Sequence, residues 1–146
     1  MKFQLLFLCS LLALPLHADP PLEWEAIEAE TDLEQRAEDA IEFARADVDP
    51  TLAAYEEGRP EEARRRLERM VEAALLAEAS LEETGKEARK RPKHFKRAEI
   101  GLRRLIRSLE NVKEKLIFED RADLDPVINQ LEEIRQRLLL SILERK

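Results

Sequence analysis

An all-α fold follows from three features of this 146-residue chain. Apolar residues recur at spacings of three and four along most of its length. Ala, Glu, Leu and Arg dominate, and 39% of residues are charged, the profile of long helices or coiled coil. Three glycines, one Trp and one Tyr leave β-strands little support. The predicted architecture is an up-and-down antiparallel bundle of four long helices plus one short connecting helix, after a cleaved signal peptide.

The chain opens with Lys2 and an apolar run, Phe3, Leu5 to Leu8 and Leu11 to Leu14, broken by Gln4, Cys9 and Ser10 and ended by Pro15. A positive start, an apolar stretch and a small residue, Ala18, before the charged Asp19 follow the plan of a secretory signal. Residues 1–18 are therefore expected to be removed, leaving residues 19–146 as one helical-bundle domain. The apolar run falls short of the roughly twenty residues that span a bilayer, so no transmembrane span is expected after cleavage. Leu8 before Cys9 does not fit a lipoprotein signal, which needs a small residue there. The remaining chain has no cysteine, and neither Asn111 nor Asn129 begins an Asn-x-Ser/Thr acceptor. Exported eukaryotic domains of this size lean on disulfides or glycans, so the expected location is a bacterial envelope, most simply the periplasm, with secretion as the alternative.

A first helix is expected from Pro20 or Pro21 to about Asp47, capped by Asp19 and striped by Leu33, Ala37, Ala40, Ile41, Ala44 and Val48. Trp24 and Ile27 continue that stripe less regularly. Asp49-Pro50 then caps a short helix that ends at Gly58. Pro60 opens the longest helix, to about Lys90, with Ala63, Leu67, Met70, Ala74, Ala77, Leu81 and Ala88 at heptad spacing. Thr84 fills the remaining seam position, and Gly85 is placed to kink or end this helix. After the break at Arg91-Pro92, Phe95, Ala98, Leu102, Leu105, Leu109, Val112 and Leu116 alternate strictly by three and four. Glu119 to Asp125 reads as a polar loop, and Asp125-Pro126 as the cap of the last helix. Val127, Leu131, Ile134, Leu138 and Ile142 form its inner face, while Leu139, Leu140 and Leu143 widen it. That surplus offers a homodimer face.

Tyr55, Gly58, Glu62, Ala63, Leu67 and Met70 resemble the helix–turn–helix centre of a tetratricopeptide repeat. The likeness covers some 20 residues, and no second copy follows at a period near 34. A repeat needs stacked neighbours to bury its faces, so an alanine-rich helical turn accounts for the same residues. A protein-binding module of that kind remains an alternative.

No catalytic constellation is found. Beyond residue 18 the one histidine is His94, set among cations with no sequence-adjacent carboxylate, and it reads as a surface residue. Ser80, Ser108 and Ser141 carry no nucleophile motif. A two-metal carboxylate site in a bundle uses Glu-x-x-His, but position 91 is Arg91. Asp120, Asp123 and Asp125 lack the glycine and closing glutamate of a calcium loop. No enzyme activity, metal or cofactor is therefore expected.

Charge is the unusual feature. Residues 19–62 hold sixteen acidic and three basic side chains, whereas residues 86–107 hold ten basic and two acidic ones. In an up-and-down bundle the turn near Pro92 meets the start of the first helix, so Glu23, Glu25, Glu28, Glu30, Asp32 and Glu34 would neutralise it and help select the topology. The competing reading is a basic hairpin tip facing an anionic partner, through Arg89, Lys90, Arg91, Lys93, Lys96, Arg97 and Arg104. Lipid headgroups, lipopolysaccharide phosphates or an acidic protein fit it. Nucleic acid does not, because the chain is acidic overall and lacks aromatic platforms. The function class expected is an exported interaction or adaptor module, with a chaperone-like helical dimer as the alternative.

Overall fold

The computed structural model describes residues 22–144, so the expected signal segment, the Asp19 cap and the start at Pro20 or Pro21 lie outside the described residues. Six helices follow one another: α1 (Trp24–Ala29), α2 (Leu33–Ala46), α3 (Val48–Glu56), α4 (Pro60–Glu83), α5 (Lys93–Lys115) and α6 (Phe118–Leu143). Among the described residues there is no strand, and no helix is long and apolar enough to cross a membrane.

The expected first helix is two. Asp32 accepts hydrogen bonds from the Glu34 and Gln35 backbone amides at 3.0 and 3.1 Å, and Glu30 Oε1 accepts from the Asp32 amide at 2.8 Å. These side chains cap α2 and give the preceding backbone an alternative to continuing the helix. α1 instead folds back on α2, burying Ile27 and setting the Trp24 ring 5.3 Å from Phe43. Asp47 separates α2 from α3 yet keeps right-handed helical dihedrals, so the two run on as one bent rod. The break falls at Asp47 rather than Asp49, and Pro50 sits in the first turn of α3, where a missing amide costs little.

Gly58 and Gly85 carry positive φ, 71° and 64°, and each closes a helix. Gly85 ends α4 at Glu83, seven residues before the expected end at Lys90; the Thr84 hydroxyl donates to Leu81 O at 2.6 Å. Ala88 still reaches the core, from the loop instead of the helix, and pins that loop to the bundle end. The expected loop at Glu119–Asp125 is helical. α6 starts at Phe118, and Pro126 lies inside it, because Leu124 and Val127 are both core residues and burying them holds the turn together across the missing amide.

The rods α2–α3, α4, α5 and α6 run up, down, up, down. Arg36 reaches Ser80 and Glu83, making α2 and α4 antiparallel; Arg135 reaches Glu99, making α5 and α6 antiparallel. These two hairpins pack on each other with α2 beside α5 and α4 beside α6, both pairs parallel: Ile41 meets Gly101, and Glu78 meets Arg137. The loop after α4 thus crosses toward the diagonal position, and α4 touches α5 far less than it touches α2 or α6. The apolar stripes of α4 and α5 are buried throughout as their spacing predicts, and so are Val127, Leu131, Ile134 and Leu138 of α6. Leu140 and Leu143 are not: they stand 54% and 62% exposed.

Candidate functional site: a cationic ridge on the fifth helix

Two charge systems occupy the bundle end that holds the start of α5. The inner one is satisfied. Lys86 donates to Glu34 at 2.6 Å and Arg97 to Glu38 at 2.7 Å. His94, expected at the surface without a carboxylate, stands between the two: Nδ1 is 2.9 Å from Glu38 Oε1 and Nε2 is 3.3 Å from Glu34 Oε2. The carboxylates come from α2, distant in sequence, which is why neighbouring residues gave no sign of them. The hydrogen bond from Lys86 chiefly holds the Glu34 carboxyl below its usual range. Burial by itself would raise Glu38, but hydrogen bonds from Arg97 and His94 outweigh it, and its pKa is also lowered. Of the six acidic residues expected to meet the basic turn, Glu34 does so, and Glu38 joins it.

The outer system is unsatisfied. Lys90 pairs with Glu87 at 2.9 Å, in the loop. Among the described residues no carboxylate lies within ion-pair distance of Arg89, Arg91, Lys93, Lys96, Arg103, Arg104 or Arg107, all of which are exposed. Arg89 and Arg91 project from the loop that Ala88 anchors. The others share the outward face of α5, because Phe95, Ala98, Leu102, Leu105 and Leu109 turn the opposite face into the core. From Lys93 to Arg107 that face runs roughly 21 Å at 1.5 Å per residue. Five of the seven expected site residues are therefore free here (Arg89, Arg91, Lys93, Lys96 and Arg104), while Lys90 and Arg97 are engaged. Arg103 and Arg107 extend the ridge beyond the hairpin tip; their spacing from Lys96, seven and eleven residues, is the signal that places them on its face.

Beyond Glu34 and Glu38, part of the acidic block lies on α1, away from the ridge. Glu25 and Glu28 are exposed on α1, which covers α2 on the side where Arg69 of α4 lies 5.8 Å over the Phe43 ring. The molecule is thus polarised between the α1 side and the α5 ridge.

Other polar clusters serve the fold. Arg137 clasps the buried Glu78 with two bonds of 2.7 Å, and Arg135 joins Glu99 to Glu132. The Tyr55 hydroxyl donates to Asp123 at 3.0 Å, tying the last turn of α3 to α6; burial and that carboxylate push the phenol pKa up. Among the described residues no group of three or more His, Cys, Asp and Glu side chains is arranged to hold a metal ion. No protein-family model, curated protein or solved structure matches the chain.

Proposed function

We propose that the protein is a non-enzymatic, exported helical-bundle adaptor of the bacterial envelope that docks an anionic surface with the α5 ridge. The observation that carries this is the set of seven exposed cations without a carboxylate partner on a chain of net charge −7. Mutual repulsion makes such a cluster unfavourable unless an anionic partner offsets it, and Lys or Arg near an anionic lipid surface contributes roughly 1 kcal/mol each. Export is supported by the composition of residues 1–18 and is tested by fractionation with sequencing of the mature N-terminus, expected at Asp19.

The ridge is tested on immobilised heparin, a generic polyanion. The chain from Asp19 onward, which holds every described core residue, is expected to be retained and to elute with salt. Replacement of the seven ridge cations by Gln should abolish retention with helicity intact. Passage of the unaltered protein straight through, as its net charge alone would dictate, would refute the reading. A chaperone-like dimer is the second reading, favoured by the exposure of Leu140 and Leu143; it requires a sedimenting dimer that suppresses aggregation of unrelated proteins.

A further inference from the structure

The last turns of α6 end beside the start of the ridge. The Arg135–Glu99 pair sets the α5–α6 register, and one turn further on Lys96 comes level with Leu139. Ser141 and Glu144 line one shallow groove together with Arg89, Ala88 and Phe95. Leu140 and Leu143, which flank Ser141, are more than half exposed and point away from the stripe formed by Leu131, Ile134 and Leu138. Leu139 and Ile142 are half-buried beside them. One rim of the bundle therefore combines free cations with protruding leucines.

Building on the docking role of the ridge, we infer that its partner is an anionic lipid bilayer, with Arg89, Lys93, Lys96 and Arg103 on the headgroups and Leu140 and Leu143 entering the acyl boundary. Two features of the rim select a bilayer over an acidic protein. The leucines sit on convex helix surface rather than in a groove that a protein side chain would fill. The cations are spread along roughly 21 Å of helix without a fixed pairing geometry, which suits a fluid array of headgroups. Acidic side chains reach the rim as well: Glu87 holds Lys90 and Glu132 holds Arg135, while Glu82, in the same groove, Glu133, on the outward face of α6, and Glu144 are exposed carboxylates that the free cations outnumber. The arrangement is that of an interfacial surface, in which cations draw the protein to the membrane and a few apolar side chains hold it there.

The experiment is co-sedimentation of the chain from Asp19 onward with phosphatidylglycerol–phosphatidylcholine vesicles, against vesicles of phosphatidylcholine alone, across a salt series. It is run beside Leu140→Ser/Leu143→Ser and beside a variant with Arg89, Lys93, Lys96 and Arg103 changed to Gln. The inference expects salt-sensitive binding to the anionic vesicles alone. It expects a loss of partition of about tenfold or more in the leucine variant, whose heparin retention stays unchanged. It expects a larger loss in the cation variant, roughly fivefold per charge. Because the substituted leucines are exposed, circular dichroism should show both variants folded. Heparin retention without vesicle binding, or vesicle binding indifferent to the leucines, overturns the bilayer inference and leaves the ridge standing. Failure on both supports removes both. A leucine variant that turns a dimer into a monomer, without change in vesicle binding, assigns the rim to self-association instead.

Discussion

Gly101 marks the closest approach of α2 and α5, since a Cβ there would press into the Ile41 Cγ2 methyl well inside contact distance. Its φ is ordinary, so its role is room rather than backbone freedom. Gly101→Ala should cost about 1–3 kcal/mol, the usual penalty of overpacking, in urea denaturation. Ile41→Val should lose little by itself and recover part of that cost in the double variant if the methyl is the obstacle. A second expectation concerns Glu34 and Glu38, whose carboxyl pKa values are lowered in the folded state. The sign follows: their contribution is fully present above the unfolded value near 4.5 and is lost as pH falls through the lower folded values. Stability should therefore drop below about pH 4.5, and Glu34→Gln/Glu38→Gln should flatten that acid limb while lowering stability at neutral pH. Equal acid limbs in the two proteins would place the acid sensitivity in other carboxylates. The meeting of Glu34 with the basic turn was legible in the sequence, whereas Glu38 and the Gly101 contact were not. His94 reads there as a surface residue because Glu38 and Glu34 lie 56 and 60 positions away, and the contact of Gly101 with Ile41 likewise spans 60 positions.

A long apolar stripe fixes its helix, whereas a helix end is decided where side-chain capping competes with the stripe. The strict three-four spacing of α5 corresponds to a helix whose whole predicted face is buried. At Asp32 a side-chain cap interrupts the expected first helix, and at Phe118–Asp125 burial of Leu124 extends α6 through what composition alone reads as a loop. A proline in that interior still removes one amide and crowds the preceding carbonyl. Pro126→Ala should accordingly raise stability by about 1–3 kcal/mol, seen as an upward shift of the thermal midpoint. Destabilisation would mean that a bend at Pro126 is needed to bring Tyr55 and Arg64 onto Asp123.

At the scale of the molecule, the two charge systems make opposite predictions for substitutions that look alike. Lys86→Gln and Arg97→Gln remove partners from Glu34 and Glu38 and should lower stability modestly, within about 1 kcal/mol each, since such pairs are partly exposed. Lys96→Gln and Arg107→Gln break no ion pair and should leave stability within about 0.5 kcal/mol of the parent, or raise it by relieving repulsion. Equal losses at all four positions would make the ridge a stability device. Helix content, the buried stripes and the existence of an acidic and a basic block were determined by the sequence alone, because each depends on residue type and local spacing. Only the tertiary structure decided that the two hairpins stack with α2 beside α5 and α4 beside α6. That arrangement follows from how alanine-rich and leucine-rich faces fit around one core, a fit no single stripe records. From it came the division of the cations. Those turned toward α2 are neutralised across a distance of more than fifty residues, and those on the outer face of α5 are left without a partner in the described fold.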